Sequence, residues 1–190
     1  GEGKSMEGGA ASLRFLRWLW TPLVVVTAAA GGRRSGQVAV TAHGASIVPE
    51  RPRLTVALWK ENLTHDLAQA SGALAVHLLR DDQDALVYHF GLQSGRVMDK
   101  FSGLDYELGT TGTPLLRDCL AAFECRVVNR MDGGDHTVFL GDVVNSLGEG
   151  EGSPLWWRDL RARIPADRLA IWEAKQVASI RIAAETMDAI

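Results

Sequence analysis

Lys60, Asn62 and Thr64 fall on every second residue just ahead of a stretch with helical spacing. An ammonium, an amide and a hydroxyl spaced this way share one face of an extended chain. The first N–H groups of a following helix add partial positive charge, so all of these donors can converge on one phosphate. The same residues also fit a solvated loop in which Asn62 or Thr64 only caps the helix. His136 follows Asp135 in a Gly-rich turn, where the carboxylate can orient or charge the imidazole; the other reading is a solvated turn histidine. Lys100 is either an anion contact or a surface lysine. Trp59, Trp156, Trp157 and Trp172 can wall a pocket or anchor a core.

Other chemistries are poorly provided for. The five histidines show no His-x-x-x-His spacing, and the two cysteines, Cys119 and Cys125, suit neither a zinc set nor a disulfide framework. No metal site is expected, and His65 beside Asp66, like His77, reads as structural. A Gly-x-Gly-x-x-Gly fingerprint is missing, which argues against a Rossmann nicotinamide domain. Gly3-Lys4-Ser5 copies only the end of a phosphate-binding loop. A net charge of −3 and a pI near 6.0 give no footprint for nucleic acid. The apolar run from Pro22 to Ala30 is too short to span a bilayer. These features together predict a cytoplasmic protein with reduced thiols that binds neither nucleic acid nor membrane.

The elements that must position these groups are short. Residues 1–11 are Gly- and Ala-rich with little periodicity and are expected to be a disordered leader or an appended remnant. A brief helix ends before Pro22, and Leu23 to Thr27 reads as a buried strand. A turn over residues 31–36 then precedes a second strand, Gln37 to Thr41. Further strands are expected at 54–59, 73–79, 120–129 and 136–146, with helices at 64–71 and 81–90. Residues 131–135 have hairpin-turn chemistry. This pattern predicts a β-rich α+β fold, an antiparallel barrel with short peripheral helices, over 12–163. From 164 to 190 the composition predicts a C-terminal helix, with Leu169, Trp172, Val177, Ile180, Ala184 and Met187 on one stripe.

The order of segments resembles the flavin reductase-like family of FMN-binding split barrels. Pro22-Leu23-Val24-Val25-Val26-Thr27 is similar to its first strand, and Gly36 to His43 to its flavin-cradling strand and loop. Trp59-Lys60-Glu61-Asn62-Leu63-Thr64 looks like its phosphate-side segment. Lys100-Phe101, Gly134-Asp135-His136, Leu140-Gly141-Asp142-Val143 and Pro154-Leu155-Trp156-Trp157-Arg158 follow in family order. His43 and Asp142 depart from the family pattern, which blurs the substrate.

The resemblance implies an FMN-binding oxidoreductase that takes electrons from NADH or NADPH and passes them to a flavin or small acceptor. A non-turnover electron carrier is the alternative. It implies that Val38, Ala39, Val40, Thr41, Ala42 and His43 edge the flavin ring, with Trp59, Lys60, Asn62 and Thr64 on the phosphate side and Lys100 as a further contact. It also implies that His136 lies near the flavin and the nicotinamide, and that the protein is a homodimer.

Overall fold

A computed structural model describes residues 2–148 and 150–187, with the backbone alone for 2–7. The first helix, α1 (Glu2–Leu16), runs through the stretch expected to form a disordered leader, and Gly1 lies outside the described residues. Leu13, Phe15, Leu16, Trp18 and Leu19 are exposed, so local propensity rather than burial holds this segment. One 3₁₀ turn, Arg17–Leu19, ends it ahead of Pro22.

Strand β1 (Val24–Ala30) pairs antiparallel with β2 (Arg33–Ala39). The turn between them is Gly31-Gly32 alone, with φ of 57° and 77°. Two consecutive positive φ values are what a tight hairpin of matching twist needs, and glycine reaches them freely. The second strand therefore starts at Arg33, earlier than the Gln37 expected from residue types.

The short β3 (His43–Gly44) and a Pro-containing loop lead to β4 (Arg53–Trp59), then α2 (Leu63–Ser71), which stops at Gly72 in the left-handed conformation. Strand β5 (Ala73–Leu78) and helix α3 (Asp84–Gly91) follow. A small hairpin of β6 (Tyr106–Leu108) and β7 (Pro114–Leu116) comes next, then the long pair β8 (Ala121–Asp132) and β9 (His136–Leu147). Helices α4 (Trp157–Arg163) and α5 (Ala166–Met187) complete the order, and 188–190 lie outside the described residues. The elements absent from the sequence reading, β3, β6, β7 and α4, are too short to show a period.

Seven strands form one antiparallel sheet in the order β2-β1-β5-β8-β9-β4-β3. Register shifts in β8–β9, at Glu124/Cys125 and Val127/Asn129, bend it. The sheet curls until α2 packs against β1 and β2 on one side and β4 on the other. Thr41, just beyond β2, closes the gap: its Oγ1 donates to the Ala57 carbonyl of β4 (3.0 Å) and accepts from the Ala57 N–H (3.2 Å). The result is the expected split barrel. One core lies inside the curl, with Val24, Val26, Val56, Leu58, Leu67, Ala68 and Phe139. A second lies on the outer face, with Leu23, Val25, Val87, Phe90, Phe101 and Leu160. Strand β1 serves both, which explains why every residue from Val24 to Ala28 is buried, the Thr27 hydroxyl donating to the Pro114 carbonyl at 2.6 Å. Among the described residues no helix is long and apolar enough to cross a membrane.

The stripe expected on α5 does not face inward throughout, since Val177 and Ile180 are 70% and 59% exposed. Trp172 stacks on Trp157 with ring centroids 5.1 Å apart, and the Lys175 Nζ donates to the Gly91 carbonyl at 2.8 Å. These two anchors fix the rotation of the helix and turn Ser179 inward instead.

His77 is fully buried between the layers. The Val25 carbonyl lies 3.0 Å from its Nδ1, and the Leu116 N–H donates to its Nε2 at 3.0 Å. Burial pushes its pKa down to about 4, against the ordinary 6.5. Between those two values the unfolded chain binds a proton that the folded chain rejects, so stability rises with pH through this window. Urea unfolding followed from pH 7 to pH 4 is expected to show a loss of about 3 kcal/mol from this group. His77→Gln, less stable at pH 7, should lack that part of the slope.

Candidate functional site

Strand β4 sets out the candidate residues along its length. His43 pairs with Thr55, Thr41 bonds to Ala57, and Trp59 at the strand's end pairs with His136, the first residue of β9. From Thr55 to Trp59 this is about 14 Å of strand. Val38 and Val40 pack toward the outer core, Ala39 and Ala42 toward the inner one. The Val40 carbonyl accepts from the Thr21 N–H, and the Ala42 N–H donates to the Thr21 hydroxyl at 3.2 Å. The Ala42 N–H is thus already engaged. His43 is exposed, its Nδ1 3.2 Å from the Thr41 carbonyl.

At the far end the chain turns sharply into α2. Asn62 takes an extended conformation (φ −81°, ψ 138°), and its side chain makes no capping bond. Its carbonyl accepts from the His65 N–H. The Thr64 hydroxyl is buried and, among the described residues, has no partner. Neither residue therefore acts as the simple N-cap that the sequence left open. An uncapped helix N-terminus beside an orphaned buried hydroxyl, with the Asn62 amide next to it, is a donor set suited to an anionic oxygen.

The Lys60 ammonium sits 2.7 Å from Asp132, a carboxylate that also accepts from the Gly134 N–H at 2.9 Å. The Lys60 N–H donates to the Asp135 carbonyl (2.9 Å), which joins the segment to the histidine turn. The Asp135 carboxylate lies 2.6 Å from the His136 Nδ1. The Trp59 and His136 rings stand edge to face, centroids 5.6 Å apart and 71° between planes. The structure thus gathers Trp59, Lys60, Asn62, Thr64 and His136 into one corner. Asp132 and Arg96 belong there too, Arg96 donating to the Glu61 carbonyl at 3.1 Å and to Asp66 at 2.8 Å. Nothing periodic marked either residue; Asp132 was legible only as a turn-former.

Lys100 lies elsewhere. It is 4% exposed and donates to the carbonyls of Gly36 and Phe90, both at 2.8 Å. Burial, with Lys175 nearby, lowers its pKa to about 7. Its ammonium, like that of Lys175, caps the C-terminal carbonyls of α3. Trp157 and Trp172 anchor the outer core, whereas Trp59 and Trp156 stay about 40% and 39% exposed. His65 is held between Asp66 (3.1 Å) and the Thr137 hydroxyl (2.7 Å). Among the described residues no three His, Cys, Asp or Glu side chains gather as a metal would require.

Residues 16–164 match the flavin reductase like domain. The chain belongs to the flavin reductase-like family. It is 37% identical over 135 residues to the high molecular weight rubredoxin of Moorella thermoacetica, a match that covers 70% of this chain and 58% of that longer protein. It is 35% identical over 126 residues to the ferric-chelate reductase (NAD(P)H) of Archaeoglobus fulgidus, covering 65% and 73% of the two chains. The crystal structure of an FMN-binding protein from Thermus thermophilus with bound p-hydroxybenzaldehyde superposes with a TM-score of 0.62 at 30% identity, over 68% of this chain and 72% of that one. The matched span contains every residue placed above in the candidate corner.

Thr64→Val replaces an unpartnered buried hydroxyl by a methyl of similar shape. Thermal unfolding of the ligand-free protein is expected to show unchanged stability or a gain of up to about 1 kcal/mol.

Proposed function

We propose that this chain binds FMN and passes electrons from NADH or NADPH to a flavin or another small acceptor. The observation that carries the reading is the donor set at the start of α2, set beside the Asp135–His136 pair within a family-matched span. When bound, FMN would supply the hydride and electron chemistry itself. Asn62, Thr64 and the α2 N–H groups would hold its phosphate, with Lys60 adding positive charge tempered by Asp132. Residues Val38 to His43 would edge the ring along β4. Lys100 would support this strand through the Gly36 carbonyl rather than touch the ligand.

His136 would face the hydride donor. Its Nδ1 lies against the Asp135 carboxylate, which orients the ring and would turn Nε2 toward the donor. Trp59, standing across the imidazole ring, would limit the positions a donor can take. Exposed apolar side chains on β8 and β9, Val128, Met131 and Val144, and Ile47 beyond β3, support a homodimer that covers them. Cys119 and Cys125 are both free thiols, in keeping with a reducing, cytoplasmic location.

An electron carrier without its own turnover is the second reading. It is favoured by the likeness to a relative named as a rubredoxin.

The spectrum of the protein reconstituted with FMN, recorded anaerobically before and after NADH and then NADPH, separates the readings. Bleaching by either donor with steady turnover supports the reductase. Flavin that binds and stays oxidised supports the carrier, and failure to bind FMN overturns both. Thr64→Val and Asn62→Ala are each expected to weaken FMN about tenfold while leaving riboflavin, which lacks the phosphate, unchanged in a fluorescence titration. His136→Asn is expected to lower kcat/KM for the donor by about 10- to 100-fold with FMN affinity retained.

A further inference from the structure

The histidine turn needs support that the sheet does not supply. Residues 133–135 form the tip of the β8–β9 hairpin, where Gly134 takes φ +89°. Inside the molecule the tip is held by three hydrogen bonds: Gly133 N–H to the His136 carbonyl at 2.8 Å, Gly134 N–H to Asp132 at 2.9 Å, and Lys60 N–H to the Asp135 carbonyl at 2.9 Å. Its outer side meets α5. A Cβ built on Gly134 would lie 3.0 Å from the Met187 Cα and carbonyl oxygen and 3.3 Å from its Sδ. The last described turn of α5 thus rests directly on the Gly134 backbone, and only a residue without a side chain allows that approach.

Helix α5 reaches this point from a fixed base. Trp172 lies over Gly91, where an added Cβ would come within 2.8 Å of its ring. Lys175 is tied to the Gly91 carbonyl, and Ser179, 4% exposed, faces inward one turn later. Lys175, Ser179 and Met187 fall on one face of the helix at spacings of four and eight residues. From Lys175 to Met187 the helix advances about 18 Å. It lies beyond the family-matched residues 16–164, so this arrangement is an addition to the shared domain.

We propose that α5 is a positioning element for His136. Its final turn, at Met187, clamps Gly134 and so holds the Asp135–His136 pair against Lys60 and Trp59. Met187 and Ser179 act through the turn and touch no reacting group. The part of this that concerns donor binding rests on the function proposed above; the clamp itself does not. Because the clamp bears on the turn rather than on Asn62 or Thr64, loosening it affects the placing of the hydride donor more than the hold on FMN, to which Lys60 alone of the loosened residues contributes.

Hydrogen–deuterium exchange on the full chain tests this without any ligand. Ser179→Arg puts a long side chain under the inward face and lifts the second half of α5. The amides of Gly133, Gly134 and Lys60 are then expected to exchange at least tenfold faster, while those of Val24 to Val26 in the core stay as they were. Met187→Ala, which trims the contact without a wedge, should shift the same three amides in the same direction by a few fold, and Ser179→Ala should behave as the parent. In turnover, Ser179→Arg is expected to raise the donor KM at least fivefold, with kcat within twofold and FMN affinity lowered less than the donor KM is raised. Unchanged exchange at the three amides in both Ser179→Arg and Met187→Ala overturns the proposal. A parent protein that binds no FMN overturns the function proposed above and leaves the exchange result to judge the clamp.

Discussion

The hydroxyl of Thr41 joins two ends of a sheet that the backbone leaves apart. It donates to the carbonyl of Ala57 and accepts from the N–H of the same residue, taking the place of a strand-to-strand ladder between β2 and β4. A full ladder would cover the edge of β4 with another strand. A single side chain closes the curl over the inner core while the edge beyond it stays open toward Trp59. The candidate corner depends on that economy: β9 pairs with β4 along its whole length on one side, while on the other β3 pairs only with its first half and leaves the stretch toward Trp59 without a strand partner among the described residues.

Much of this arrangement was legible in residue types. The β-branched start of β1, the Gly72 stop, the hairpin chemistry of 131–135 and the Gly-free stretch of α5 each follow from local preference, and local preference survived in the structure. Lys60, Asn62 and Thr64 were readable as donors, but their alternation was not the reason they meet: Lys60 lies in a turn, Asn62 just ahead of α2 and Thr64 inside its first turn, rather than along one extended face. What sequence could not show was which donors are already engaged. Lys60 meets Asp132 and the Ala42 N–H meets Thr21 across 72 and 21 residues, contacts that no periodicity encodes.

Lys100 and α5 show the same limit from the other side. A lysine in a loop reads as exposed or as a ligand contact, because burial of an ammonium is costly without partners. Two backbone carbonyls at the end of α3 supply those partners, and the side chain belongs to the scaffold. The α5 stripe failed for a related reason. Amphipathic spacing assumes that apolar area alone chooses the inward face, whereas here an aromatic stack and a lysine-to-carbonyl bond fix the rotation first.

The pairing of β4 with β9 also bears on how the chain reaches this state. Arg53 and Asp142, bonded at 2.6 Å, are separated by 89 residues, and Trp59 meets His136 across a span nearly as long. The β1–β2 and β8–β9 hairpins can close early because their loops are short, but the β4–β9 seam must close the longest loop in the sheet before any of its contacts repay the lost chain entropy. The two halves of the candidate corner, one on each strand, are therefore brought together by the longest closure in the sheet. A partly folded chain carries the separate pieces of the corner without the corner itself, and affinity for a ligand there arises together with the completed sheet.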